Sequence, residues 1–324
     1  MNITNNTNIP LPLANWLVSD NYDYVSDDKY ISATSLLKPI KQIILSKRVD
    51  SDKLSCDVEE FISRAMGTAL HDSIEKSWLN NYSKNLRKLG YSENLIKRII
   101  VNPTPEQLQN VDNPIPIYLE QRSMKELNGW KIGGKFDMVA EGVVNDYKST
   151  SVYSWIHDNK TRDYQLQGSI YRWLNPDKIT DDYIRINFIF TDWQKVNSLS
   201  DPSYPKSRLQ YKDIPLLSLE ETERFISSKL TQLDKYMDSP EIQIPECSEE
   251  ELWRSPGKYK YYSNPEKTSG RSTKNFDNQM EANKYWKIDK QGKGIVVYTP
   301  GEVRRCQYCP AASICKQRLK YFEE

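Results

Sequence analysis

Three residues near the middle of the chain could do hydrolytic chemistry together. Asp137 sits in the run GGKFDMV, and Asp146 and Lys148 sit in NDYKST. Residues i and i+2 of a strand share a face, so Asp146 and Lys148 point the same way. A hairpin between the two runs brings Asp137 beside Asp146. Two carboxylates converging next to an ammonium make a divalent-cation site with a charged group beside its water. Oxygen ligands select Mg²⁺ or Mn²⁺, ions that activate water and neutralise charge on a phosphate in transition. Glu120, on the preceding run, is a third carboxylate able to face the same pocket. Taken alone, an Asp-x-Lys pair is also an ordinary solvent-facing ion pair. Its order relative to two flanking helices gives it weight.

The first of those helices is predicted from about Asp57. Val58, Phe61, Ile62, Ala65, Ala69, Leu70, Ile74 and Trp78 recur every three or four residues. It carries His71, one of two histidines in the chain, with Gly67 one turn earlier on the same side. The second helix spans 163–174, with Tyr164, Gln167 and Tyr171 on one face and Leu166, Ile170 and Trp173 on the other. Between them, residues 115–150 hold three short β-like runs. Turn signals at Leu127-Asn128-Gly129 and Glu141-Gly142 separate these runs and predict a β-meander. Residues 183–193 read as a further strand, and the run from Ile31 to Arg48 as a short amphipathic helix.

The coarse organisation follows. Residues 1–30 are a polar, Asn/Asp-rich arm, and 31–197 are the α/β core. Residues 198–295 are a Ser/Pro/Lys-rich peripheral insertion with one helix near 219–238, and 296–324 are a cysteine-bearing tail packing on the core. With 45 Lys+Arg against 44 Asp+Glu the net charge is +1, which excludes an overall basic coat. Contact with a polyanion must therefore be local. One such patch interleaves Lys258, Lys260, Lys267, Arg271 and Lys274 with Tyr259, Tyr261, Tyr262 and Phe276. Cations among aromatics suit a single nucleic-acid strand. No apolar run approaches the roughly 18 residues of a membrane helix. The start, MNITNNTNIP, has neither the basic nor the apolar region of a signal peptide. Together with only five cysteines, this predicts a reducing cytoplasm.

Read in order, the pattern is Gly67-x3-His71, Glu120, Gly134-x2-Asp137, Asp146-x-Lys148 and Gln167-x3-Tyr171. It resembles the RecB-like branch of the PD-(D/E)xK nucleases, over about residues 31–195 plus the tail. The resemblance implies a restriction-endonuclease-like mixed β-sheet flanked by helices, with the site at one splayed edge. It implies that His71, Asp137, Asp146 and the backbone carbonyl of Tyr147 bind Mg²⁺ or Mn²⁺. It also implies that Lys148 orients or helps deprotonate the attacking water, while Gln167 and Tyr171 steady the site and the strand. Glu120 matches an upstream acidic position. His71 implies room for a second metal.

Cys306-x2-Cys309-x5-Cys315 is metal-ligand spacing, suited to Zn²⁺ or an iron–sulfur cluster. It resembles the tail of iron–sulfur RecB-like nucleases, including AddB-type and CRISPR-adaptation enzymes, where a distant fourth cysteine staples the two ends of the domain. The position expected for it, near 36–41, contains no cysteine. Cys56 or Cys247 could supply the ligand, and the run PECSEEELW around Cys247 resembles a tailed-phage subgroup. The expected cofactor is a [4Fe-4S] cluster, with Zn²⁺ as the alternative. Gly129-x4-Gly134-Lys135 imitates a phosphate-binding loop, but Phe136 stands where Ser or Thr should hold Mg²⁺.

The function these features imply is a metal-dependent DNA exonuclease of phage recombination, replication or degradation, acting on single strands or duplex ends. The alternative is a DNA-binding accessory subunit of a repair or CRISPR-adaptation-type complex with weak or no nuclease activity.

Overall fold

The structure is a computed structural model that describes residues 2–20, 23–50 and 54–322. It is mixed α/β and divides into two compact units, residues 1–37 with 50–232 and residues 38–49 with 233–324. No described helix is long and apolar enough to cross a membrane.

In the first unit the amino-terminal stretch is more than an arm. Strand β1 (Asn2–Thr4) is followed by helix α1 (Leu11–Val18), whose Leu17 is buried against Val58 and Ala65. The run predicted as one helix from Ile31 is three elements. Strand β2 (Tyr30–Ser32) leads into a single helical turn, α2 (Ala33–Leu36), and α3 (Ile40–Arg48) starts afresh. Pro39 is the reason: its ring and missing N–H cannot continue α2, yet its fixed φ of -56° suits a helix start.

Strand β3 (Ser55–Asp57) lies parallel to β1, and its last residue caps the next helix, close to the predicted start. Asp57 and Glu60 form a capping box over a 3-10 turn at Val58–Phe61, and α4 (Ile62–Lys88) runs on from it.

The central sheet has six strands in the order β11-β10-β9-β8-β5-β4. These are β4 (Ile99–Val101), β5 (Ile115–Leu119), β8 (Met138–Ala140), β9 (Val143–Thr150), β10 (Tyr183–Phe190) and β11 (Leu209–Pro215). A second sheet, β2-β7-β6, takes in β6 (Arg122–Leu127) and β7 (Trp130–Lys135). The predicted meander therefore splits between two sheets. Two of its three runs break, the first at Glu120–Gln121 and the second at Phe136–Asp137. Glu120 has φ +48°, a left-handed conformation that turns the chain out of β5. The turns at Asn128-Gly129 and Glu141-Gly142 lie where the sequence puts them, all four residues at positive φ.

Helices cover both faces of the central sheet. Trp78, Tyr82 and Leu86 of α4 pack on Ile99, Ile117, Leu119 and Met138. The Thr161–Leu174 helix packs close to β10, where a Cβ at Gly168 would stand 2.8 Å from Ile184 Cβ and from Leu216 Cδ2. Both faces of that helix are buried, Tyr164, Gln167 and Tyr171 on one as well as Leu166, Ile170 and Trp173 on the other. Gly168→Val is expected to lower stability by about 1–3 kcal/mol through overpacking, read as a fall in the denaturant midpoint at unchanged m. An unchanged midpoint would show that β10 can move away from this helix.

The second unit holds α3 and a three-stranded sheet, β13-β12-β14, formed by β12 (Lys258–Tyr262), β13 (Lys274–Phe276) and β14 (Ile295–Thr299). Tyr261, Phe276 and Ala282 form its core, and Tyr262 is also buried. These rings support the unit from within, so they are not the base-stacking surface that their interleaving with lysines suggested.

Candidate metal centre

The centre is built where β8 stops short. The β8–β9 ladder ends at the pair Met138–Asn145, while β9 continues to Thr150. The backbone N–H and C=O of Tyr147 therefore have no partner strand on that side, and side chains take both. The N–H donates to Asp137 Oδ2 at 2.9 Å, and the carbonyl oxygen lies 3.2 Å from His71 Nε2. Through these two contacts the edge of β9 left open by β8 gathers one residue from the β7–β8 break and one from α4.

Glu120 joins through its strained turn. Its backbone N–H donates to the Asp137 carbonyl at 2.9 Å. Asn102 Oδ1 accepts from Leu119 N and from Gln121 Nε2, bracketing the turn on both sides. His71 Nδ1 then lies 3.3 Å from Asp137 Oδ1 and 3.7 Å from Glu120 Oε1. Ligand atoms of His71, Glu120 and Asp137 all fall within 4.8 Å of one another, a grouping that can hold a metal ion. The two carboxylate oxygens suit Mn²⁺ or Mg²⁺, and the imidazole nitrogen tilts the set toward the softer Mn²⁺.

Asp146 lies next to this group, held back in the interior. It is 1% exposed, and Gln167 Nε2 donates to its Oδ1 at 3.1 Å and to the Tyr171 hydroxyl oxygen at 2.9 Å. Its Oδ2 lies 2.7 Å from Lys148 Nζ, an ion-pair distance, but the contact lacks hydrogen-bond alignment. Burial, helped by the like charge of Asp137, pushes Asp146 up to about 6 against the opposing pull of the Lys148 ammonium. For Lys148 burial acts downward as the largest single influence, yet Asp146 and Asp137 outweigh it together and the amine is held as ammonium. The Asp137 hydrogen bond, then that of Glu120, pushes His71 up to about 10. Without an ion, the His71 imidazolium thus neutralises the carboxylates.

All of Glu120, Asp137, Asp146, Lys148, Gln167, Tyr171, His71 and the Tyr147 carbonyl therefore meet in one place. Glu120 stands among the group's close donors, with Asp146 one step behind. Lys135 was visible in the sequence only as the end of the false phosphate loop. Its Nζ lies 2.7 Å from Glu120 Oε2. That loop is itself strand β7, with Gly129 in a hairpin turn. Asn102 carried no signal beyond being an Asn ahead of Pro103.

In the second unit, Cys247 lines one cavity together with Cys306, Cys309 and Cys315. Buried Gln317 holds it there, accepting from Cys247 N at 2.8 Å and donating to its carbonyl at 2.9 Å. Cys56 lies in β3 and is not part of this lining. Burial first, then Glu251 and the other three cysteines, pushes the Cys247 thiol up to about 12. No three of these sulfurs lie within 4.8 Å of one another. A single tetrahedral Zn²⁺ with bonds of about 2.3 Å would hold them about 3.8 Å apart.

No model of a known protein family matches the chain, and no curated protein matches it. Among solved structures it is similar to the crystal structure of SSO0001, an archaeal protein, at 15% identity and a TM-score of 0.40. The match covers 70% of this chain and 91% of that one.

Proposed function

We propose that this protein is a metal-dependent DNA exonuclease that hydrolyses phosphodiester bonds, in phage DNA recombination, replication or degradation within the host cytoplasm. The observation that carries this reading is the convergence of His71, Glu120 and Asp137 beside the Asp146–Lys148 pair. A divalent cation held by the first three would lower the pKa of a water and neutralise charge on the phosphate. The chain's own groups supply the rest. Lys148, kept as ammonium by Asp146, can donate a hydrogen bond to the attacking water or to a non-bridging phosphate oxygen. Gln167 orients Asp146, and Tyr171 fixes Gln167. Lys135 limits the negative charge on Glu120, so the group does not repel the phosphate it must receive.

The test uses 5′- and 3′-labelled single- and double-stranded DNA with Mn²⁺ or Mg²⁺, against EDTA and Asp146→Ala controls. Metal-dependent cleavage lost in both controls supports the reading. Equal degradation by Asp146→Ala would refute the site.

For the cysteine cavity we favour an iron–sulfur cluster over a single Zn²⁺. A four-iron cluster binds each thiolate through a different iron, so it accepts sulfurs spaced too widely for one ion. Anaerobically prepared protein is expected to be brown. The colour should vanish in Cys247→Ser and persist in Cys56→Ser, as read by visible absorbance and iron content. Colourless protein with stoichiometric zinc would overturn the cluster.

A further inference from the structure

The β2-β7-β6 sheet has two faces of opposite character. Ile31, Trp130 and Ile132 are buried on one. Register pairs Tyr30 with Lys131, Ser32 with Gly133 and Arg122 with Lys135. Side-chain alternation therefore sets Tyr30, Ser32, Gly133, Lys135 and Arg122 together on the other face. All five line the same groove, of about 450 Å³, as His71, Glu120 and Asp137.

This face is built with some care for one aromatic ring. The phenol end of Tyr30 rests on Gly133, where a Cβ would stand 2.5 Å from the ring's Cε2 and hydroxyl oxygen. Only glycine leaves that space. The Arg122 guanidinium is steered by the Asp23 carbonyl, which accepts from it at 2.6 Å. The groove thus presents a supported ring and two cations, continuous with the metal group. Its lining sets Arg122 and Lys135 beside Asp72, Glu120 and Asp137, so a phosphate chain would find its cations on this sheet face and meet the carboxylates through a bound metal.

We infer that this sheet face is the track for a single DNA strand leading away from the bond to be cut. Tyr30 stacks on a base, and Arg122 and Lys135 take the flanking phosphates. This rests on the reading of the metal group as a phosphodiester hydrolase. A base stacked on Tyr30 has left its complementary strand, so the track favours an unpaired end over intact duplex.

The experiment uses single-stranded oligonucleotides with one 2-aminopurine placed at successive positions from either end, in excess EDTA so that nothing is cut. Binding is expected to quench the fluorophore at one or two positions only. Tyr30→Leu should abolish that quench and weaken binding roughly fivefold to a hundredfold, the range for loss of one stacked base. Tyr30→Phe should preserve both. Arg122→Gln, which leaves the ring alone, should weaken binding and reduce the salt slope by about one. Absence of binding by the wild-type protein, quenching at every position alike, or full quench and affinity in Tyr30→Leu would each overturn the track. If Tyr30→Leu does not fold, unchanged affinity and salt slope in Arg122→Gln would overturn it instead. Failure of the nuclease reading is distinguishable. Tyr30-dependent binding without any cleavage in Mn²⁺ would keep the track and remove the hydrolase, whereas cleavage with normal KM in Tyr30→Leu would do the reverse.

Discussion

Asp137→Asn is expected to reduce metal-dependent cleavage by at least about a thousandfold while the protein stays folded. Asp137 does two jobs with its two oxygens, facing His71 with Oδ1 and accepting the Tyr147 N–H with Oδ2. The amide is nearly isosteric. Its oxygen can keep the bond to Tyr147, which preserves the β9 edge beyond the end of β8. Its NH₂ then faces the imidazole where a carboxylate stood. One anionic ligand is lost, and a donor points into the space a cation should fill. Loss of a ligand worth several kcal/mol of charge stabilisation corresponds to the stated factor, since each 1.36 kcal/mol is tenfold. Lys148→Met is the informative companion. It should lower kcat by about 10²–10⁴ yet leave metal affinity nearly intact, because Lys148 supports the reaction without being a ligand. Titration calorimetry with Mn²⁺ and single-turnover cleavage together separate the two. Retention of more than a tenth of wild-type activity by Asp137→Asn would remove that residue from the site.

Metal affinity is expected to climb steeply with pH. In the metal-free protein His71 is protonated up to about pH 10, held there by the Asp137 and Glu120 hydrogen bonds. A metal can bind only the neutral imidazole, so it must displace that proton. The apparent Mn²⁺ affinity should therefore rise about tenfold per pH unit from 7 to 9, with about one proton released per ion. Calorimetry in buffers of different ionisation enthalpy counts that proton. A pH-independent affinity would show that His71 is not a ligand. Stability of the metal-free protein should move the other way. The folded pKa of His71 lies above its unfolded value of 6.5, so its contribution is complete below pH 6.5 and is lost as pH rises through about 10. Chemical denaturation in EDTA across pH 6.5–10 should show the decline, and saturating Mn²⁺ should flatten or reverse it.

How much of this was legible in the chain differs from residue to residue. Gly67, His71, Asp137, Asp146, Lys148, Gln167 and Tyr171 stand out because their spacing repeats known periods. Two residues apart on a strand, or three or four apart on a helix, is enough to place side chains on one face. The two hairpin turns were readable for a similar local reason, since Asn-Gly and the glycine of Glu-Gly fit positive φ. The course of the strands was not. Nothing local marks Glu120 as the left-handed residue that ends β5, because an L-residue is held there by Asn102 and by the Asp137 carbonyl. The buried state of Tyr164 and Tyr171 was equally hidden, because it depends on what lies over the second face of their helix. Tyr261, Tyr262 and Phe276 misled for the converse reason. Alternation with lysines describes a sheet face, but only the packing of Ala282 and its neighbours shows which face is covered.

The sequence by itself determined the donor types, their order and the faces they share, because those depend on short-range geometry. Tertiary structure alone decided which donors meet. An early end to β8 leaves the Tyr147 backbone unpaired, and Asp137 and His71 converge on it from segments far apart in the chain. The same holds for the cysteines. Three of them share a short tail in any fold, but that Cys247 rather than Cys56 lines a cavity with them, its backbone bonded to Gln317, follows from tertiary packing.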